Sequence, residues 1–195
     1  MNTDLPLPNT GISNPTPAPA PGGPPTGIHL QRILVPVDFS DCGRKALQYG
    51  IPLARQYGGK LILLYVIQEP YPVTEFGGLA LAQMEADLSA NAVAELDKLA
   101  NQVVRPLIAA DTRVVFGSPE TQIVDIAREE AVDLIVISTH GRTGLEHMFL
   151  GSVVENVVRH APCPVLVVRQ KEHEFVDSAV AANEHWSNGS PSEAG

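Results

Sequence analysis

The chain has 195 residues, enough for one domain with a substantial core. Its 13 basic and 22 acidic residues give a formal charge of −9, which argues against holding nucleic acid or an anionic membrane through a general positive field. Residues 32–169 contain 12 basic and 16 acidic residues, so the central part of the chain also repels anions. A phosphate ligand would have to be held by local donors such as backbone N–H groups.

Both ends of the chain differ in composition from its middle. Residues 1–29 contain repeated prolines and almost no large apolar side chains, so burial cannot offset the entropy of ordering them. We expect a disordered, proline-rich arm. The alternative interpretation is that this arm is a proline-rich ligand for a binding domain with an aromatic groove. Residues 171–195 are polar and of low complexity, with Lys171 against five acidic residues, and predict a disordered acidic tail. Residues 30–170 then form a single domain.

The cysteine and hydropathy patterns favour a cytoplasmic protein. Cys42 and Cys163 belong to no C-x-x-C motif and to no histidine spacing typical of zinc, so we expect reduced thiols and no metal site. No apolar stretch approaches the roughly 20 residues that span a bilayer. The N-terminus lacks the charged region and apolar run of a secretion signal.

Short apolar runs rich in β-branched residues predict five strands. The first strand includes Pro36, which a strand tolerates near its end, and places Asp38 at its carboxyl end. The predicted strands cover residues 32–38, 60–67, 112–116, 134–138 and 164–168.

Helical spacing of apolar residues predicts four helices between these strands. Ser40 and Asp41 are candidate N-cap residues of the first helix, which stops at Gly58 and Gly59. The third helix covers residues 119–130 and begins with a proline after a cap residue; the fourth covers residues 152–160. The second covers residues 79–104, and its predicted apolar face consists of Leu88, Ala92, Leu96 and Leu99.

Five strands in strict alternation with four helices predict an α/β fold, a doubly wound five-stranded parallel sheet with helices on both faces. Ligands of such Rossmann-like sheets bind beyond the carboxyl ends of the strands, where the winding reverses. The strand order is left open by these patterns. If the first and fourth strands are neighbours, Asp38 and the loop of residues 138–151 meet in one crevice.

The loop that follows the fourth strand has features of an anion site. Gly141 and Gly144 allow backbone N–H groups to approach a ligand closely. Gly151 and Ser152 start a helix, where unpaired N–H groups and the positive dipole end suit a phosphate. Turn formation by the glycines and simple capping by Ser152 are the alternative interpretation. The motifs G-x-x-x-x-G-K-[ST] and G-x-G-x-x-G after a strand are absent, which disfavours P-loop hydrolysis and dinucleotide redox chemistry.

Separated motifs give the chain a specific resemblance over about residues 31–169. The sequences I-L-V-P-V-D-F-S, S-T-H-G-R-T-G-L and L-G-S-V-V-E-N-V-V-R-H-A-P-C-P-V-L-V-V-R, in this order, resemble the universal stress protein family. The resemblance implies the strand order 3-2-1-4-5 and dimers commonly formed through the last strand. The resemblance to one branch of the family also implies that ATP is bound without a Walker loop.

The ATP-binding branch that the chain resembles has a glycine motif: Gly, two residues, Gly, nine residues, and then Gly followed by Ser or Thr. The chain matches this pattern at Gly141, Gly151 and Ser152, whereas Ser138 stands in place of the first glycine. The Ser138 side chain would either crowd or hydrogen-bond a ribose or phosphate. The nucleotide site implied by the resemblance consists of Pro36, Val37, Asp38, Val66, Ser138, His140, Gly141, Arg142, Gly144, Gly151, Ser152 and Val153.

The resemblance also implies a role for each side chain. Asp38 faces the ribose or adenine, Val37 and Val66 frame the adenine, and His140 and Arg142 lie near the phosphates. Plainer interpretations stay open: the two valines as core residues, Asp38 as a cap of the following helix, and the other two as solvated loop residues. The backbone N–H of the residue after Ser152 adds a donor at the helix start.

Three functions compete at this point. The leading hypothesis is a cytoplasmic, homodimeric stress-response protein that binds ATP, with Mg²⁺ as a candidate companion ion, and hydrolyses it slowly at most. No catalytic residue is assigned, because His140 has no evident partner to orient it as a base. A nucleotide-free homodimeric interaction protein is the alternative supported by Ser138. The third is an ATPase or phosphotransferase, including autophosphorylation, that uses His140 or Asp38 with a divalent metal.

Overall fold

A computed structural model of the chain describes residues 27–68, 78–139 and 151–169. Four residues of the predicted site, His140, Gly141, Arg142 and Gly144, lie outside the described residues. The same holds for the predicted acidic tail and for residues 1–26 of the predicted arm.

The described residues form one parallel sheet with the strand order β3-β2-β1-β4-β5, flanked by helices. This confirms the predicted α/β fold and strand order. The strands are β1 Arg32–Pro36, β2 Lys60–Ile67, β3 Ala110–Phe116, β4 Leu134–Ser138 and β5 Val165–Val168. The helices are α1 Asp41–Tyr57, α2 Gly78–Leu99, α3 Pro119–Glu129 and α4 Ser152–His160, and a π-helical turn, Ala100–Val104, continues α2.

The central strand, β1, ends two residues earlier than predicted. Pro36 is its last residue and lies opposite Leu64 of β2. Since proline has no N–H, it fits at the end of the strand, and the next residue still bonds to β2, because the N–H of Val37 donates to the carbonyl of Leu64 at 2.8 Å. Asp38 therefore follows the strand instead of belonging to it.

Side chains alternate between the two faces of the sheet along each strand, so the core consists of two clusters, one on each face. Ile33, Val35 and Val37 pack in the cluster that includes buried residues of α1 and α2. Leu34 points the other way and packs with buried residues of α3 and α4. Because helices cover both faces, the strands are apolar on both faces, as the continuous apolar run of β2 indicates.

Helix α2 packs on the core with only part of its length. Ala92, Leu96 and Leu99 are buried, but Leu88, predicted on the same face, is 40% exposed. From residue 82 to residue 91, every side chain except that of Ser89 is exposed. The apolar stripe of this helix therefore extends beyond the part that contacts the core.

The ends of α1 agree with the cap signals of the sequence. Ser40 is the N-cap and accepts a hydrogen bond from the N–H of Gly43, whereas Asp41 is the first residue of the helix. Gly58 ends the helix in the left-handed conformation with φ of 66°, which glycine adopts without steric cost. No helix within the described ranges has both the length and the apolar character that crossing a membrane requires.

Candidate functional site

The registers of the central strands determine which residues meet at the carboxyl edge of the sheet. Leu34 of β1 lies opposite Ile135 of β4. Counting four residues further from this pair puts Asp38 and Thr139 at the same level, just beyond the ends of β1 and β4. The strand order therefore brings Asp38 and the residue that follows β4 to the same edge of the sheet, on neighbouring strands.

Val66 of β2 reaches the same edge. Pro36 lies opposite Leu64, so Asp38 is level with Val66 two residues further on. The side chains of Val37 and Val66 nevertheless lie on opposite faces of the sheet. Val37 is 6% exposed and packs in the cluster with α1 and α2, whereas the partly buried Val66 packs against the cluster with α3 and α4. Both valines thus contribute to the core, and their role around an adenine stays a prediction.

The carboxylate of Asp38 is bound to the start of α1. Its Oδ1 accepts hydrogen bonds from the Ser40 N–H at 3.0 Å and from the Ser40 hydroxyl at 2.6 Å. The hydroxyl oxygen of Ser40 in turn accepts from the Gly43 N–H at 3.1 Å. The described residues donate to Asp38 only at Oδ1, so its other oxygen is the one that can accept from a ligand.

The end of β4 and the start of α4 are in direct contact. The N–H of Gly151 donates to the carbonyl of Thr139 at 3.4 Å, and the N–H of Thr139 donates to the carbonyl of Val168 at 2.9 Å. Thr139 is 2% exposed, and the half-buried Ser138 pairs with Val168 in the sheet. This contact places the first turn of α4 at the carboxyl edge, beside β4.

The first turn of α4 offers backbone donors without a side-chain cap. Its N-cap is Gly151, which has an extended conformation and no side chain that could satisfy them. The Glu155 N–H donates to the Gly151 carbonyl at 2.9 Å, which leaves the N–H groups of Ser152 and Val153 without a partner inside the helix. Together with the positive end of the helix dipole, these groups suit an anion such as a phosphate.

The charge of the acidic side chain in the first turn of α4 is neutralised in part. Glu155 lies in the first turn of α4, where its charge would oppose a bound anion. Its carboxylate pairs with Arg159 one turn further on, at 2.7 Å. Because both side chains are exposed, this pair weakens the repulsion but does not abolish it.

The thiols have the character of structural cysteines. Burial raises the pKa of Cys163, and Asp133 adds to the rise. Burial also raises the pKa of Cys42, with smaller contributions from Asp38 and Asp41. A redox sensor needs a lowered thiol pKa, so neither cysteine fits that role. Within the residues that the structure describes, no cluster of three or more His, Cys, Asp or Glu could hold a metal ion.

Three residues near Asp38 were not identified as part of the site from the sequence. The sequence predicts Ser40 only as a helix cap, and its patterns do not distinguish Phe39 or Gly43 as site residues. The signal was present: an Asp two residues before a Ser is the spacing at which a carboxylate accepts from the backbone N–H two positions on. The position of Gly43 beneath the carboxylate depends on the path of α1, which no local pattern specifies.

A doubly wound parallel sheet with this strand order places the protein in the Rossmann-like class of α/β proteins. The profile of the universal stress protein family matches residues 29–169, and the chain belongs to that family.

Similar proteins support the assignment along nearly their whole length. Universal stress protein MJ0531 of Methanocaldococcus jannaschii is 33% identical over 149 residues, which cover 74% of this chain and 85% of that protein. MJ0577 of the same organism is 30% identical over 158 residues, which cover 74% and 98%. Its solved structure superimposes with a TM-score of 0.64, covering 75% of this chain and 100% of that one. A universal stress protein solved in complex with cAMP is 25% identical, with a TM-score of 0.55 and coverage of 74% and 100%.

Proposed function

We propose that this chain binds an adenine nucleotide, ATP, at the carboxyl edge of the sheet between β1 and β4. One observation carries the proposal: the contact between Gly151 and Thr139 sets uncapped N–H groups of α4 beside β4, at the edge where Asp38 also lies. That a relative of this family was solved in complex with cAMP supports an adenine nucleotide as the class of ligand.

In this proposal, the backbone provides most of the attraction for the phosphates. The N–H groups of Ser152 and Val153 donate to phosphate oxygens, and the exposed Ser152 hydroxyl adds a donor. Such donors are needed because the chain carries a net charge of −9. Asp38, through its second carboxylate oxygen, accepts from a ribose hydroxyl or from the adenine amino group. Backbone atoms of Pro36 and Val37 border the base.

The proposed role of the bound nucleotide is regulatory. We infer a stress-response protein whose state depends on ATP occupancy, with hydrolysis that is slow at most. The candidate base, His140, lies outside the described residues, so no proton transfer is assigned to it. A turnover assay with His140→Ala as control separates this proposal from an ATPase or a phosphotransferase, because robust hydrolysis that the substitution abolishes would favour an enzyme.

Equilibrium binding of ATP to the purified full chain, with and without Mg²⁺, tests the proposal. Asp38→Asn removes one carboxylate at the carboxyl edge, and Asp111→Asn removes one at the start of β3 on the opposite edge. The two variants have the same net charge. We expect Asp38→Asn to weaken ATP binding and Asp111→Asn to leave it unchanged. Absence of saturable binding below millimolar ATP, or equal effects of both variants, would contradict the proposal.

We also propose a homodimer that forms through the outer edge of β5. Val165–Val168 is the last strand in the sheet and pairs with β4 on one side. The carbonyls of Pro164 and Val168 accept from β4, so the alternate residue Val167 directs its N–H and carbonyl outward. An exposed row of such groups is a template for pairing with a second strand.

A pair of proline substitutions tests this edge. Val167→Pro removes an outward N–H and is expected to give a folded monomer, whereas Leu166→Pro removes an inward donor and is expected to destabilise the sheet itself. Sedimentation measures the oligomeric state, and circular dichroism measures folding. A dimer that survives in folded Val167→Pro would contradict the proposed interface. A dimer without ATP binding would favour the nucleotide-free interaction protein.

A further inference from the structure

The turn between β1 and α1 holds Asp38 in a way that a plain helix cap does not require. We propose that Ser40 and Gly43 are positioning residues for nucleotide binding: they fix the Asp38 carboxylate with Oδ1 against α1, so that Oδ2 is the oxygen offered to the ligand. This inference rests on the proposed function, and it assigns a role to two residues that do not themselves contact the nucleotide.

Ser40 restrains the carboxylate by two hydrogen bonds to the same oxygen. Its N–H and its hydroxyl both donate to Asp38 Oδ1, at 3.0 and 2.6 Å. Rotation of the carboxylate would break both bonds. Because the hydroxyl oxygen also accepts from Gly43 at 3.1 Å, the same rotation would disturb the cap of α1.

Gly43 provides the space that this orientation needs. It is buried in the first turn of α1, and a Cβ there would lie 2.6 Å from Asp38 Oδ1. Side chains do not tolerate such a distance, and the nearby Asp38 N and Ser40 Oγ, at 3.6 and 3.7 Å, lie in ordinary contact. A side chain at residue 43 would therefore force the carboxylate, or the first turn of α1, to move from its observed position.

The backbone between Asp38 and Ser40 is strained, which indicates that the turn is held in place. Phe39 has φ of 60°, a left-handed conformation that a bulky side chain rarely adopts. Its ring packs against Tyr65 with 4.9 Å between ring centroids, at the border of the buried cluster. Strain of this kind persists where surrounding contacts outweigh it, and it is concentrated at binding and catalytic sites.

ATP affinities of Gly43→Ala, Ser40→Ala and Ser40→Thr test the inference. We expect Gly43→Ala to raise the dissociation constant roughly tenfold, the size of effect that misdirecting one hydrogen bond to a charged group produces. In an Asp38→Ala background, the same substitution is expected to have no further effect. Ser40→Ala should weaken binding and Ser40→Thr should restore it, because threonine keeps the hydroxyl. Ser118→Ala, at the N-cap of α3, is the matched control and should bind as the unmodified chain does.

Thermal unfolding without nucleotide separates this inference from the proposed function. If Ser40 holds Asp38, the midpoint shift of the Ser40→Ala, Asp38→Ala double variant is smaller than the sum of the shifts of the two single variants. Additive shifts, or a Gly43→Ala effect that persists in the Asp38→Ala background, would overturn the positioning role. Failure of the unmodified chain to bind ATP, with non-additive midpoints, would contradict the proposed function while leaving the restraint on Asp38 established.

Discussion

Gly151 lies against the carbonyl oxygen of Thr139 across the carboxyl edge of the sheet. Its N–H donates to that oxygen at 3.4 Å, and a Cβ on Gly151 would lie 3.2 Å from it. A separation of 3.2 Å is tighter than an ordinary Cβ contact, so either the carbonyl or α4 must move by a few tenths of an ångström to admit a side chain. The position of the α4 start thus depends on glycine at this residue.

The first prediction concerns this contact. Gly151→Ala should destabilise the domain by about 1 kcal/mol, because overpacking forces a small backbone shift, and the larger, β-branched Gly151→Val should cost more. Ser152→Ala, one residue on and exposed, should change the free energy of unfolding by less than about 0.5 kcal/mol. Denaturant midpoints measure all three. Equal midpoints for Gly151→Val and Ser152→Ala would show that the contact has no steric consequence.

A second prediction concerns the division of α2 into a packed and an unpacked part. Leu96 is 0% exposed and Leu88 is 40% exposed on neighbouring parts of one helix face. Leu96→Ala should destabilise the domain by about 2–5 kcal/mol, because it leaves a cavity, and Leu88→Ala should cost less than about 1 kcal/mol. Urea unfolding of the two variants checks the difference. Similar losses would mean that Leu88 is covered by something outside the described residues.

A third prediction uses adjacent glycines at the end of α1. A Cβ on Gly59 would overlap the carbonyl oxygen of Leu30, whereas nothing lies within 4 Å of a Cβ on Gly58. Gly58→Ala therefore costs only its left-handed backbone conformation, about 1–2 kcal/mol. Gly59→Ala must displace the chain before β1 and should cost about 3 kcal/mol. Thermal unfolding of both variants tests the order of these two losses. A Gly59→Ala variant that is more stable than Gly58→Ala would contradict the prediction.

A fourth prediction concerns acid stability. The hydrogen bond from Lys60 lowers the pKa of Asp111 in the folded state. The pair therefore stabilises the fold above the unfolded pKa of about 3.9, and this contribution is lost as the pH falls through the lower, folded pKa. Since the side chains are 37% and 41% exposed, screening limits the contribution to under about 1 kcal/mol.

The comparison of Asp111→Asn with the unmodified chain measures this contribution. The variant should be the less stable of the two at pH 7, and the difference should shrink as the pH falls below the unfolded pKa of about 3.9. Lys60→Met should behave in the same way, because it removes the other partner of the pair. A difference that stays constant between these pH values would show that the loss does not come from the ion pair.

Much of the fold could be predicted from the sequence because its signals are local. The continuous apolar run of β2 indicated burial on both faces, and Ser118 with Pro119 predicted the start of α3 correctly. The strand order came from the family resemblance and is confirmed by the sheet. The exposure of Leu88 was missed, since a stripe of apolar residues does not show where the helix leaves the core.

The site was predictable only in part, because it depends on contacts between distant residues. The position of Asp38 and of the end of β4 at one edge, on neighbouring strands, followed from the strand order. The hold of Ser40 and Gly43 on the carboxylate did not, since it needs the left-handed turn at Phe39 and the direction of α1. The opposite orientations of Val37 and Val66 required the register of two strands as well as their sequences.

The most direct test of the nucleotide site is an NMR titration of the isotope-labelled full chain with ATP, followed at backbone amides. We predict saturable shifts at Ser152, Val153 and Ser40, which lie at the carboxyl edge. The amides of Gly58 and Lys60, at the amino edge, should not move. Shifts confined to the amino edge, or none at saturating ATP, would contradict the account.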